Sequence, residues 1–483
     1  MKKVFLAFLI VFFATAAWAE VKFDISGDFH ARGNYAKNLN YYNQALGSDN
    51  VWNTFYDGDI NLYPKLIVNN TTLNLKLTIH DQVWGEESDI GGGTAIDSPD
   101  VYYNLYSGEK DDNINIELAW VRHMFTENTI LDLGLMDGQA WGTKFADYTM
   151  PRWRVKFMQK TPVGLFGALL EKDAEQGSFD EKDAENDDHD HYAVFAITKA
   201  GNVFIKPLLY FVNNSTKVDD NGSGGVKVQY YALELSGNLG IVDFESELGY
   251  KKFMFDEVSP LEEDAKVYGA YLNVWKALDF GKPGITLAYG SWDKESGPFA
   301  VAGGGYGFDF RNDFKSNLIF GGRGLNNENV ISSPLGTTAA YVPAQLLNPA
   351  LPAGTFVSAG ATNQASEDLT GFTLIKPYIA DVQLPVKNLT CSASFAYMIS
   401  NQDDTVWEDA KAWEADLGLA YKISDNVVYS IDAGYAKIKD LKGFTLAVPA
   451  GTYGPTQPDL FAFGDIDDPE PIFVVQHKVE FTF

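Results

Sequence analysis

Val21-Lys22-Phe23-Asp24-Ile25-Ser26-Gly27-Asp28-Phe29-His30-Ala31-Arg32-Gly33-Asn34-Tyr35 alternates residue by residue between apolar or small side chains and polar ones. A period of two sends the odd positions to one face of a β-strand and the even positions to the other. A helix would scatter Asp24, Asp28, His30 and Arg32 around its circumference. The end of the chain repeats the pattern, with Phe473, Val475, Val479, Phe481 and Phe483 on one parity and Val474, Gln476, Lys478, Glu480 and Thr482 on the other. Long strands with one continuous apolar face at both ends of a chain predict a closed β-barrel standing in lipid.

The first residues fit export. Lys2 and Lys3 precede an apolar run over 4–13, and Ala17-Trp18-Ala19 places small residues where signal peptidase reads them, so cleavage is expected after Ala19. The run is half the length that a spanning helix needs, about 20 residues. No later segment approaches that length. In hydrocarbon every backbone polar group needs an internal partner, which leaves the closed barrel as the β solution.

At 483 residues the chain is long enough for several domains, yet strand-like alternation recurs from Val21 to Phe483 without a helical block or linker, so 20–483 reads as one domain. A net charge of −28 argues against nucleic acid, whose phosphates call for clustered Lys and Arg. The acid is densest over 171–190, which reads as a solvated loop. Cys391 is the single cysteine and shares parity with Leu389, Ala393 and Phe395. No disulfide and no CxxCH haem attachment site follow, and no cofactor is expected.

The alternation predicts strands at 21–35, 55–68, 73–79, 114–125, from about 129, 151–160, 163–171, 191–198, 202–213, 226–237, 240–253, 266–277, 284–293, 371–383, 388–400, 411–423, 426–437 and 472–483. That makes eighteen, with sixteen to twenty open. The fold class is therefore all-β, a single transmembrane antiparallel barrel. Its short turns (69–72, 127–128, 161–163, 200–201, 238–239, 384–388, 424–426) all fall on the side of the chain ends, and its long polar loops on the other. An even count lets the first and last strands pair and close the wall. Arg122 breaks the parity of its strand unless it lies at an interface or follows a bulge. The excursion over about 294–370 either folds into or over the pore, or hides another hairpin at 299–310 and 314–321.

Aromatic residues of the lipid parity, Tyr35, Tyr56, Trp153, Tyr250, Tyr397, Tyr435, Phe481 and Phe483, fall near strand ends, where amphipathic rings favour the headgroup layer. With its cleavable leader, alternating strands and terminal Phe, the chain resembles the Gram-negative outer-membrane porins. The resemblance implies short periplasmic turns, long extracellular loops and contact with outer-membrane lipid and lipopolysaccharide. It also implies that Val479, Phe481 and Phe483 form the signal read by the barrel assembly machinery. A homotrimer is compatible with it.

Barrels of this size enclose water. The parity facing away from lipid is polar: Asp57, Asp59 and Asn61; Asn115 and Glu117; Asp243, Glu245 and Glu247; Glu414 and Asp416; Asp432. Arg152, Arg154 and Lys156 form a basic ladder on one face, with Lys160 more peripheral, directly after the loop at 137–150. In the porins that this chain resembles, the loop after the fifth strand often folds into the lumen, and basic wall residues opposite acidic ones screen solutes. The three are candidate selectivity residues; the alternative is that they neutralise neighbouring carboxylates. Asp187-Asp188-His189-Asp190-His191 lacks the spaced frame and turn glycine of a calcium loop, so no metal site is expected there. No nucleophile, base and orienting acid assemble, which argues against an enzyme. The expected function is passive diffusion of small hydrophilic solutes or ions. The alternative is a scaffold barrel sheathing a partner such as a multihaem cytochrome.

Overall fold

The computed structural model describes residues 21–37, 52–83, 114–138, 141–143, 145–146, 150–174, 189–214, 226–255, 264–293, 306–310, 318, 341–343, 356–358, 369–403, 408–440, 445–447, 460–462 and 470–483. The expected leader at 1–19 lies outside them.

Eighteen strands make the wall. They are β1 (Val21–Asp24 and Gly27–Lys37), β2 (Trp52–Leu62 and Lys65–Val68), β3 (Thr71–Val83), β4 (Ile114–Met124), β5 (Thr129–Gly138) and β6 (Met150–Thr161). There follow β7 (Gly164–Ala174), β8 (His189–Ala200), β9 (Val203–Asn214), β10 (Val226–Asn238), β11 (Asp243–Phe255) and β12 (Ala265–Trp275). The last are β13 (Lys282–Gly290), β14 (Phe372–Gln383), β15 (Leu389–Ser400), β16 (Lys411–Ser424), β17 (Val427–Lys439) and β18 (Ile472–Thr482). Neighbours in sequence pair antiparallel, and β1 pairs with β18 from Asp28↔Thr482 to Lys37↔Phe473, so the sheet closes without a free edge. At the seam Gly27 N–H donates to the Phe483 carbonyl and Phe483 N–H to the Gly27 carbonyl, both at 3.0 Å. A Cβ on Gly27 would lie 2.5 Å from the Phe483 ring, so the glycine seats the terminal aromatic.

The two faces differ sharply within single strands. Leu133, Leu170 and Leu248 are 53%, 45% and 55% exposed, while their neighbours Asp132, Glu171 and Glu247 are each 0% exposed. In these strands apolar side chains point out of the wall and charged ones into the barrel, whereas toward the loop end Phe372, Leu374, Met398, Ile438, Ile472 and Val474 are buried in one apolar cluster with Phe145 and Phe308. At the loop end, aromatics face one another across adjacent strands: Tyr192 and Phe211, Tyr231 and Tyr250, Tyr250 and Tyr268, Tyr397 and Trp413, Tyr435 and Phe473. At the turn end Phe481 stacks on Phe483 at 5.6 Å.

Three local readings are refined. The ladders expected to run unbroken over 21–35 and 55–68 are each interrupted once, at Ile25-Ser26 and Tyr63-Pro64. Pro64 has no N–H to donate to the ladder. Tyr63 N–H reaches the Ser26 carbonyl at 2.8 Å, and parity survives the break, with Val21, Phe23 and Ile25 exposed on the same side as Tyr35. In β4, Lys76 pairs with Leu118 but Leu77 pairs with Ile116, leaving Glu117 as the extra residue of a bulge. Ile114 and Ile116 face outward before it, and Arg122 faces the lumen after it. The acidic stretch at 171–190 is not loop throughout: β7 runs past its expected end at Glu171 to Ala174, and β8 begins at His189, two residues before its expected start. Glu171 and Asp190 pair with strand neighbours because the parity of these strands runs on past their apolar cores.

β13 pairs directly with β14 from Lys282↔Ala380 to Tyr289↔Thr373, so the twenty-strand alternative falls. Within the excursion, Trp292–Asp293 pairs with Tyr306–Gly307, Asp309–Phe310 with Leu369–Thr370, and Tyr341–Pro343 with Phe356–Ser358, all outside the wall sheet. Apart from Leu318, the candidate strand at 314–321 lies outside the described residues.

Candidate functional site

Two connections meet inside the barrel. The loop after β5 leaves the wall at Gly138 and reaches β11, where Thr143 donates to Glu247 Oε2 from its backbone N–H (2.8 Å) and its hydroxyl (2.6 Å). Tyr230 donates to the other oxygen at 3.0 Å. Glu247 is fully buried, and these three donors replace the water that an ionised carboxylate needs. Gly142 precedes Thr143 with φ +82°, and a Cβ there would sit 2.8 Å from the same carboxylate. Both the conformation and the close approach require glycine.

Phe145 then stacks between Tyr271 of β12 (5.5 Å) and Phe308 of the β13–β14 excursion (5.4 Å). Phe308 lies flat on the wall over two glycines. A Cβ would come within 2.7 Å of the ring at Gly249 and 2.4 Å at Gly269, so a side chain at either would displace it. Lys251 Nζ sits 4.6 Å from the ring centroid, and Phe308 N–H donates to the Ser291 carbonyl at 2.9 Å. On the other side of the loop, Trp141 packs on Phe195 of β8 at 4.9 Å.

The basic ladder lines the lumen beside this crossing. Arg152 and Arg154 are buried on the inward face of β6, while Trp153, Val155 and Phe157 point outward. Arg154 pairs with Glu171. Arg152 Nη1 lies 3.8 Å from Glu171 Oε2 and 2.6 Å from His191 Nδ1. His191 also contacts the Tyr210 hydroxyl. One step along the wall, fully buried Asp132 takes two hydrogen bonds from Arg122 (2.8 and 2.9 Å) and an ion pair from Lys156 at 3.3 Å. The cations thus stand in two paired clusters rather than in an unopposed row. Lys160 lies at the exposed turn end.

Other candidates take separate positions. Asp59 is buried between His30 (2.7 Å) and Asn61 (3.1 Å). Asp57 lies opposite Arg32 in the β1–β2 register, its side chain outside the described residues. Glu117, at the bulge, pairs with Lys76 and Thr78. Glu245 accepts from Tyr271 (2.6 Å) and Asn273 (3.3 Å), and Asp416 accepts from Ser394 at 2.9 Å. Among the described residues the structure brings Glu247 to the loop crossing and leaves Asp59, Glu117 and Asp416 on other parts of the wall. Val479, Phe481 and the terminal Phe483 stand along the β1–β18 seam. Asp187 and Asp188 lie outside the described residues.

Sequence reasoning missed Thr143, Phe145 and Phe308, which carry no periodic signal. It also missed Glu171 and His191 as partners of the ladder. Their signal was parity: Glu171 alternates with Leu170, and His191 with Tyr192.

No protein-family model matches the chain, and no curated protein matches it in sequence. Among solved structures it is similar to an anion-selective porin from Comamonas acidovorans, at 12% identity and TM-score 0.41, covering 96% of this chain and 100% of that one. It is similar to OccAB3 of Acinetobacter baumannii, at 9% identity and TM-score 0.48 over 95% and 99%. It is also similar to OpdK of Pseudomonas aeruginosa solved with vanillate, at 10% identity and TM-score 0.48 over 95% and 98%. At these values the likeness assigns no residue and no solute, and the functional reading rests on the barrel itself.

Proposed function

We propose that the chain is an outer-membrane porin, a water-filled channel for passive diffusion of small hydrophilic solutes or ions. One observation carries this: neighbouring residues of the same strand meet opposite environments, exposed apolar side chains outside and paired carboxylates, arginines and lysines within, with Lys76, Lys156 and Lys206 still partly open to the lumen. Lipid outside and an aqueous interior account for both faces. A charge on the lipid side near the midplane costs about 2–4 kcal/mol for Arg or Lys. Eighteen strands make a barrel too wide for wall side chains alone to fill.

In this reading the leader directs export and is cleaved after Ala19, the short turns face the periplasm, and Val479, Phe481 and Phe483 engage the assembly machinery. The loop from β5 and Phe308 narrow the lumen. Solutes pass between that crossing and the remaining wall, so Arg152, Arg154 and Lys156 set charge preference through the field they make with Glu171 and Asp132. The same crossing disfavours a sheathed cytochrome, since the chain's own residues occupy the space a partner would need.

Swelling of proteoliposomes in graded sugars and amino acids tests the reading. Uptake that falls with solute size supports it, and vesicles as tight as protein-free ones would refute it.

A further inference from the structure

Near the turn end of the lumen, β1 and β2 place Asp28, His30 and Asp59 so that one ligand atom from each lies within 4.8 Å of the other two. The register makes this convergence. His30 is directly opposite Asp59 and Asp28 directly opposite Asn61, and all four side chains point inward. His30 Nδ1 is 2.7 Å from Asp59 Oδ1.

Asn61 fixes the two carboxylates. Its amide nitrogen donates to Asp28 Oδ1 at 3.0 Å and to Asp59 Oδ2 at 3.1 Å, and its own oxygen accepts from the Thr78 hydroxyl at 2.8 Å. The Thr78 contact sets the amide so that its NH2 faces both acids. This leaves Asp59 Oδ1 and Asp28 Oδ2 uncommitted to Asn61. Tyr63, below them on the same face, hydrogen-bonds Asp28. Of the cations on this face, Lys76 is itself paired with Glu117, and Arg32 stands one inward position along β1, opposite Asp57.

We infer that Asp28, His30 and Asp59 bind one divalent transition-metal ion of the zinc class. The ion would arrive from the solution in the lumen. One imidazole and two carboxylates suit a borderline cation, and three protein ligands leave a coordination position for water. Asn61 and Thr78 are the outer shell that orients them. The small, hard magnesium ion keeps its own waters and does not favour the imidazole. The site stands apart from the loop crossing and does not depend on the chain conducting.

The test is calorimetric titration of the detergent-purified full chain with zinc chloride, with barrel integrity followed by heat-modifiable gel mobility. Wild type is expected to take up one equivalent of zinc. Folded His30→Ala or His30→Gln and Asp59→Asn each weaken binding by roughly tenfold or more, and Asn61→Ala by about 10- to 100-fold. No heat of zinc binding to the wild type, or equal affinity in wild type and a folded His30 variant, overturns the site. Because the readout is binding in detergent, failure here is distinct from failure of the channel reading, which shows in flux without zinc.

Discussion

Phe145 and Phe308 lie 5.4 Å apart and within 15° of parallel inside the barrel, although they belong to connections separated by eight wall strands. Both are fully buried. The contact ties the loop after β5 to the excursion after β13, and the glycines beneath Phe308 let the pair lie close against the wall.

Removing the ring should loosen the crossing. Phe308→Ala is expected to raise single-channel conductance and to lower the unfolding temperature, since truncating a buried Phe costs about 3–5 kcal/mol. Gly269→Val pushes the same ring from the wall side, because even a Cβ would stand 2.4 Å from it. It should therefore also raise conductance. Unchanged conductance in both variants would remove the crossing as the narrow point.

The buried charges of β6 and β7 predict opposite shifts. Glu171→Gln leaves Arg152 and Arg154 without their carboxylate, adds net positive charge to the lumen and should move the reversal potential in a salt gradient toward anion preference. Replacing both arginines by Ala should move it toward cations. The single glutamate change should destabilise by about 3–5 kcal/mol, the usual cost of stranding buried partners. Both shifts shrink as ionic strength rises. An unmoved reversal potential would leave the ladder a purely structural role.

The outward face predicts a position-dependent penalty. Leu248→Arg, on the lipid side of β11, should destabilise refolding into vesicles by about 2–4 kcal/mol if it lies near the midplane. The equivalent change at a loop tip should cost little. Denaturant titration of the refolded barrel reads the difference.

The seam predicts slow or failed assembly when the terminal ring is lost. Deleting Phe483 removes two backbone hydrogen bonds to Gly27 and the stack on Phe481. The expected outcome is a smaller heat-modifiable fraction on refolding. Refolding at the wild-type yield would contradict this.

How much of this was legible in the sequence follows from periodicity. The wall was readable because each strand repeats a two-residue code over about ten residues, as in Leu131, Asp132, Leu133, and because a parity error would put charge in lipid. Even the exception at Arg122 signalled its bulge. The breaks at Ser26 and Pro64 were not read because parity continues through them, although Pro64 marks the second. The lumen crossing was unreadable in detail. Thr143, Phe145 and Phe308 sit in segments without period, and their positions depend on wall residues distant in sequence: Glu247, 104 residues from Thr143, and Gly249 and Gly269 beneath Phe308. Glu171 was legible in principle but was masked by the acidic run that follows it.

The central claim is that hydrocarbon lies outside this wall and water within it. Adding the purified chain alone to a planar lipid bilayer tests it most directly. The account predicts discrete, long-lived conductance steps in KCl without any partner protein. A chain that stays freely soluble without detergent and leaves the bilayer silent would contradict it.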